Sequence, residues 1–290
     1  MTVARPTLLA ATALAALLGC RGRPASTGTK LTLRYHPPAG AAYHYALEQQ
    51  NTMTFEGGPM AQLGEQQVTL RMYYTQSVTG PTEGGIGVTV NFDSTTMDSP
   101  MMGAGAMAPA LERMRGLTSA LVYDDRMHVM RAAFSGVAGM PSPMVEQMGK
   151  TLKGMAFPLP EDPVGVGDSW VAETELPLGQ VAGAGAPLKA KTKLTVREIQ
   201  VAGADTAVLL GVETTFPGDP VTVMQQGQTV TLKLSGGLTG EQLFSVTKGA
   251  AVRSAMGGSM RINVRGGQAG PEGMTVAMQQ QTSLRLTATK

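Results

Sequence analysis

Cys20 is the only cysteine in a chain of 290 residues, so any thiol chemistry in this protein depends on it. An apolar run over residues 8–18 precedes it, and one cation, Arg5, stands before that run. A short positive start, an apolar middle and a small residue at the end are typical of a secretory signal segment. The apolar run is too short to span a bilayer as a helix, so we interpret residues 1–19 as a signal peptide that is removed.

The end of this segment, Leu17-Leu18-Gly19-Cys20, resembles the lipobox of bacterial lipoprotein precursors. The resemblance implies cleavage between Gly19 and Cys20, followed by lipidation of the Cys20 sulfur and of its new amino group. The alternative is an ordinary signal peptide with a stray cysteine. A lipidated Cys20 leaves no free thiol for disulfides, thiolate catalysis or cysteine-based metal sites. Arg21 stands where inner-membrane lipoproteins commonly have Asp, so we expect an outer-membrane anchor that faces the periplasm.

A complete set of hydrolytic side chains does not occur in the sequence. Gly167-Asp168-Ser169 resembles the nucleophile block of GDSL-type hydrolases, which need a histidine to take the serine proton. His36, His44 and His128 all lie upstream, and no Asp-x-x-His follows Ser169 as that family requires. A turn at the start of a strand explains the motif better, so we expect no catalytic residues and no enzymatic activity.

Two small polar clusters suit metal or acid–base chemistry but have simpler explanations. Asp124, Asp125 and His128 could ligate a metal ion, yet Asp is favoured in hairpin turns and His128 would follow on the returning strand. Glu173 and Glu175 share one face of a predicted strand, as paired catalytic carboxylates do, and a solvated face explains them as well. We therefore predict no metal site and no cofactor.

Methionine is concentrated in one region, because eleven of the 20 methionines lie between positions 97 and 155. Thioethers can bind Cu(I), but such sites usually add His or Cys, and neither is well placed here. Methionine also fills cores and forms adaptable apolar surfaces. Ser142-Pro143 predicts the start of a helix. Its apolar face is our candidate lining for an apolar-ligand site: Met144, Met148, Leu152 and Met155.

The overall charge excludes one class of partner. Removal of the signal takes away Arg5 and lowers the formal net charge from +2 to +1. Only 4% of the residues are aromatic. A nearly neutral chain of this kind has no electrostatic footprint for nucleic acid, so we predict no nucleic-acid binding.

Alternating apolar and polar residues with glycine-rich turns predict a mostly β protein of α+β type. The first predicted strand contains Leu31, Leu33 and Tyr35, and the most regular one covers residues 274–287. We expect antiparallel β-meanders that form one curved sheet, a half-barrel or two lobes, covered by two or three short helices. Residues 20–30 are interpreted as a lipidated tether, and residues 158–163 as a linker.

Similar motifs recur in the two halves of the body, residues 31–157 and 158–290. Gly40-Ala41-Ala42-Tyr43 and Gly167-Asp168-Ser169-Trp170 each precede a predicted strand. Gly116-Leu117-Thr118 and Gly237-Leu238-Thr239 each open a predicted hairpin. These correspondences favour a duplicated β-meander, and chance similarity between two β-rich halves is the alternative.

Two features of the chain resemble an uncharacterised family of bacterial envelope lipoproteins. They are the stretch Pro160-Glu161-Asp162-Pro163-Val164-Gly165-Val166-Gly167-Asp168-Ser169-Trp170, and Tyr43 and Tyr45 in an early strand. That family has no assigned activity. More distantly, a curved sheet covered by helices is similar to the LolA and LolB half-barrels, which hold acyl chains, but fold does not imply function. We expect a non-enzymatic lipoprotein that binds a lipid or another apolar ligand. The alternative is a structural or assembly lipoprotein that acts through envelope protein partners and has no ligand cavity.

Overall fold

The computed structural model describes residues 28, 30–58, 60–99, 116–136, 158–176, 188–225, 228–270 and 272–290. They form one curved, open sheet of eleven antiparallel strands. In chain order the strands are β1 (Ala42–Glu56), β2 (Glu65–Thr82), β3 (Gly85–Asp98), β4 (Thr118–Tyr123), β5 (Val129–Ser135), β6 (Ser169–Leu176), β7 (Leu188–Ala202), β8 (Asp205–Gln225), β9 (Gln228–Ser245), β10 (Ala250–Gly266) and β11 (Met274–Thr289). The prediction of a mostly β protein is confirmed.

Helical structure in the described residues is limited to two short 3-10 turns, Ala61–Leu63 and Gly267–Ala269. The helix predicted after Ser142-Pro143 lies outside the described residues, so the covering helices stay a prediction. Within the described part of the chain, no helix combines the length and the hydropathy needed to cross a membrane.

The strand order across the sheet is β5-β4-β3-β2-β1-β11-β10-β9-β8-β7-β6. Two meanders, β1 to β5 and β6 to β11, therefore join through one long pair between β1 and β11, from Tyr43 opposite Thr289 to Glu56 opposite Thr275. The two predicted halves belong to one continuous sheet rather than to two lobes.

One of the motif pairs does not occupy equivalent places. Thr118 begins β4, as predicted, but Leu238 and Thr239 lie inside β9 and do not open a hairpin. Glycine within a strand produced the appearance of a turn in the sequence. The duplication itself stays a prediction.

The inner face of the sheet is the face that packs against the buried core. The main core cluster combines Val88 of β3 with Leu194 of β7 and Phe244 of β9, and Leu33 lies among them. Strands this far apart in the sheet share a cluster because the sheet curves toward this face. Odd positions of β1 and even positions of β2, β9, β10 and β11 point to it.

Two segments outside the sheet fill one end of this inner face, and we call residues 30–38 and 158–168 together the plug. Leu33 is 0% exposed and Leu159 is 3% exposed. The two segments meet in an isolated antiparallel bridge, in which the Leu31 and Val164 amides donate to each other's carbonyl oxygens at 2.8 and 2.9 Å. The plug closes the end of the sheet at which β1 begins.

The plug corrects two sequence-based predictions. Leu31, Leu33 and Tyr35 do not form a sheet strand, and residues 158–163 are not a linker, since Leu159 and Pro160 are buried. An extended segment buried on alternate residues has the same period of two as a strand, so the pattern did not separate them.

Polar contacts join the two segments of the plug to each other and hold them to the edge hairpin β4–β5. The Arg34 guanidinium donates to the carbonyl oxygens of Pro160 at 3.0 Å and Glu161 at 2.9 Å, and its Nε lies 3.2 Å from Asp125 Oδ2. The Tyr35 amide donates to the Asp125 carbonyl at 2.7 Å. These bonds satisfy backbone groups that no strand pairing satisfies.

The outer face carries the charges. Arg71 lies 3.6 Å from Glu48 on β1, and Lys191 lies 3.7 Å from Glu173 on β6. On the inner face of β1, β2, β9, β10 and β11, every position is apolar, glycine or uncharged polar. The alternation therefore separates a charged, solvated face from an uncharged one.

Candidate functional site

The inner face beyond the plug is the candidate site, and we call it the trough. At its centre, apolar side chains from four strands are half-buried rather than buried. Leu47 and Met53 come from β1, Met72 from β2, Met256 from β10, and Met278 and Leu284 from β11. Large aliphatic and thioether side chains at this exposure provide an adaptable apolar surface.

One wall of the trough is better packed than its centre. Ala190, Phe216 and Met260 form a buried cluster, and Leu234, Leu238 and Met278 pack against it while remaining partly buried. These side chains come from five different strands, because the curvature brings inner-face positions of neighbouring strands together. The cluster gives the trough a fixed apolar wall on the β8–β10 side.

Aromatic rings line the trough next to the plug. Tyr45 and Tyr74 stack with ring centroids 5.1 Å apart, and Phe92 continues the row at 6.4 Å from Tyr74. Tyr35 of the plug packs against Tyr123 at 5.2 Å, and Gln76 Nε2 donates to the Tyr35 hydroxyl at 3.2 Å.

Burial disfavours ionisation of these phenols still further. It raises the pKa of Tyr45 and Tyr74 far above the ordinary value, and it raises the pKa of Tyr123 to about 12. Desolvation is the largest cause in each case, since the phenolate is disfavoured where water is excluded. At neutral pH the tyrosines therefore add no charge to the trough.

Four uncharged polar side chains interrupt the apolar trough at its centre, and we call Gln49, Asn51, Gln280 and Thr282 the polar quartet. Gln49 is opposite Thr282, and Asn51 is opposite Gln280, on the paired central strands β1 and β11. Gln49 Nε2 donates to Asn51 Oδ1 at 3.2 Å, and Gln280 Nε2 donates to Thr282 Oγ1 at 3.0 Å.

Several of the predicted functional residues lie outside the described part of the chain. They are Gly19 and Cys20 at the signal cleavage site and the candidate ligand lining, Met144, Met148, Leu152 and Met155. Their roles stay predictions.

Asp124 and His128 form a hairpin turn rather than the start of a metal site. Asp124 Oδ1 accepts hydrogen bonds from the Arg126 and His128 amides at 2.9 and 2.7 Å, and Asp124 Oδ2 lies 2.7 Å from His128 Nδ1. Partial burial raises the Asp124 pKa, but these hydrogen bonds outweigh it and hold that pKa below its usual range. Asp125 pairs with Arg34 instead. Across the described ranges, no group of three His, Cys, Asp or Glu side chains could hold a metal ion.

The residues considered for hydrolysis take part in local structure. Asp168 Oδ2 accepts the Gly165 amide at 3.0 Å in the turn before β6, and Ser169 begins that strand. Glu173 lies 3.7 Å from Lys191, its cross-strand neighbour on the outer face. His44 Nδ1 lies 2.9 Å from Thr75 Oγ1. These contacts agree with the turn and solvated-face interpretations.

Sequence reasoning missed the polar quartet. Two polar residues stand at equivalent places in the apolar series of β1 and of β11: Gln49 and Asn51 in one, Gln280 and Thr282 in the other. The interruption was visible in each strand. Its significance depends on the pairing of the first strand with the last, which the sequence pattern does not give.

Comparison with known proteins identifies no family. No protein-family model and no curated protein matches this chain. Among solved structures, one described as "Lipid-protein interactions in lipovitellin" matches with a TM-score of 0.46 and 10% sequence identity. The match covers 88% of this chain and 26% of that one, so this chain spans about a quarter of that protein. A similarity of this size does not indicate a shared function.

Proposed function

We propose that this chain is a non-enzymatic lipoprotein whose trough binds a lipid or another apolar ligand. The observation that supports the proposal is an uncharged inner face whose central apolar side chains are only half-buried, next to a plug that closes one end. Apolar surface of this kind gains about 25 cal/mol for each Å² that a ligand removes from water. Each buried methylene of an acyl chain would contribute about 0.8 kcal/mol.

A charge placed in the trough should weaken binding, whereas a charge on the opposite face of the same strand should not. Met53→Asp adds a carboxylate on the inner face of β1, and Thr52→Asp adds one at the neighbouring outer position. A ligand in the trough would have to desolvate the first carboxylate, at a cost of several kcal/mol. We expect Met53→Asp to lower the affinity for a fluorescent fatty-acyl probe at least about tenfold, and Thr52→Asp to leave it nearly unchanged.

The measurement is fluorescence titration, with a thermal melt of each variant and native mass spectrometry of the purified wild type. If both variants lose the same affinity for the probe and are equally stable, the probe does not bind in the trough. A wild type that binds no apolar probe and carries no lipid through purification would favour the structural alternative, in which the chain acts through envelope protein partners.

We further propose that the chain is anchored in the outer membrane through Cys20 and faces the periplasm. The support is the lipobox-like sequence and the absence of Asp at position 21. Residues 20–30 would tether the body within at most about 35 Å of the membrane surface.

Replacement of Cys20 by serine should abolish lipidation and release the chain from membranes. In cell fractionation, we expect Cys20→Ser to leave the membrane pellet and the wild type to sediment with outer membranes. Arg21→Asp is the matched variant, and we expect it to remain lipidated but to move to the inner membrane. A Cys20→Ser chain that is still processed at the same bond and still sediments with membranes would contradict the anchor.

A further inference from the structure

The polar quartet lies at the centre of the sheet, on the fifth and sixth of its eleven strands. Apolar side chains flank it along both strands: Leu47 and Leu284 on one side, Met53 and Met278 on the other. Two residues of a strand span about 7 Å, so each apolar pair is within reach of a ligand that contacts the quartet. Along its length, the trough thus has an apolar zone, then the polar quartet, then a second apolar zone.

The two hydrogen bonds inside the quartet use only part of its capacity. Four side-chain groups have no partner among the described residues. They are the side-chain carbonyl oxygens of Gln49 and Gln280, the side-chain amide nitrogen of Asn51 and the hydroxyl proton of Thr282. None of these atoms belongs to the buried, unpartnered polar atoms of the described residues. All four residues are half-buried rather than buried, so the quartet offers both donors and acceptors to a ligand in the trough.

The surroundings of the quartet favour a ligand with an uncharged polar group. Leu70 on β2 and Met256 on β10 flank Gln49 and Thr282, and Gly258 beside Gln280 adds no side chain. No charged residue lies on the inner face of the five central strands, β2, β1, β11, β10 and β9. A carboxylate or phosphate bound here would lose water without gaining a counter-charge, which costs several kcal/mol. A hydroxyl or an ester carbonyl would exchange water for the amides of the quartet at little cost.

We infer that the trough takes a neutral lipid of the acylglycerol class, with its hydroxyl or ester group at the quartet and its chain on the flanking apolar residues. This inference rests on the proposed function, because it specifies the ligand of the same trough. The quartet sets specificity by matching polar groups, and the apolar residues supply most of the affinity.

Three probes separate the contributions of head group and chain: monoolein, octadecene and oleate, each used to displace a fluorescent apolar dye from the whole chain. Monoolein should bind about fivefold or more tightly than octadecene, since hydrogen bonds of about 1 kcal/mol each are added. Oleate at pH 8 should bind more weakly than monoolein, because its carboxylate finds no counter-charge.

Gln280→Met and Asn51→Leu remove the polar groups at similar volume, and Gln281→Met is the matched control on the outer face of β11. We expect both quartet variants to lose the preference for monoolein over octadecene and to keep their affinity for octadecene. The control should keep the wild-type preference. Thermal melts of the three variants establish that each one is folded.

The outcomes distinguish this inference from the proposed function. Equal affinities of the wild type for monoolein and octadecene, or tight binding of oleate, would overturn the inference and leave apolar binding intact. An unchanged preference in Gln280→Met and Asn51→Leu would also overturn it. If none of the three probes displaces the dye, or the dye itself does not bind, the proposed function fails and the inference fails with it.

Discussion

Replacement of Gly258 by alanine is expected to destabilise the fold by about 3 kcal/mol, the upper end for overpacking a well-packed site. A Cβ at Gly258 would overlap the carbonyl oxygen of Gly237 and lie 2.9 Å from Leu238 Cα. Both are backbone atoms of β9, the neighbouring strand, so they cannot move aside as a flexible side chain could. The two strands would have to separate where β10 pairs with both of its neighbours.

Gly257 is the matched control, because it is the next residue on the same strand and faces outward. A Cβ there would lie 3.4 Å from the Gln280 carbonyl oxygen and 3.8 Å from Gln281 Cγ, which are ordinary contact distances. We expect Gly257→Ala to change the free energy of unfolding by less than about 1 kcal/mol, and in the stabilising direction if the unfolded chain loses entropy. Denaturant titration of the two variants measures the difference. Equal stability of the two would contradict the close approach of β9 and β10.

The glycines on this part of the inner face share a structural role. Gly236 and Gly240 on β9 would place a Cβ against the carbonyl oxygens of Ser259 and Ala255 on β10, as Gly258 would against β9. Glycine within a strand allows two backbones to approach and a sheet to bend. The curvature that forms the trough therefore depends partly on these glycines, which lie next to the polar quartet.

The sequence predicted local structure well where the pattern of apolar, polar and turn residues has a single explanation. Strand β11 follows from the alternation of apolar and polar residues, and the β4–β5 hairpin follows from Asp124 and its neighbours. In each case the buried face, the turn residues and the strand length agree. The separation of charged and uncharged faces could be read from the same alternation.

Long-range features could not be derived in that way. The pairing of β1 with β11 joins residues more than two hundred positions apart, and alternation gives no register. The polar quartet depends on that pairing. The plug was mistaken for a strand and a linker, because burial of Leu33 and Leu159 comes from the curvature of a sheet formed elsewhere in the chain.

Truncation of Leu33 to alanine is expected to cost about 3 kcal/mol, the typical range for a buried leucine being about 2 to 5 kcal/mol. Leu33 belongs to the plug, and it is fully buried against the inner face in one cluster with Val88, Leu194 and Phe244. These residues come from distant strands, so the cavity left by Leu33 cannot be closed by a shift of one neighbour. Leu63→Ala is the control, since Leu63 is 45% exposed, and it should change stability by less than about 0.5 kcal/mol.

Hydrogen exchange locates the effect of the same substitution. The Tyr35 amide, bonded to the Asp125 carbonyl, reports the attachment of the plug to the edge hairpin, and the Leu47 amide reports the central pairing of β1. If the plug holds the curved sheet at this end, Leu33→Ala should accelerate exchange at Tyr35 more than at Leu47, because the plug opens before the sheet does. Equal acceleration at both amides would show that the plug and the sheet open together, which would contradict this order of opening. A loss of stability no larger than that of Leu63→Ala would show that the plug only covers the inner face. In that case the curvature would depend on the glycines of β9 and β10 alone.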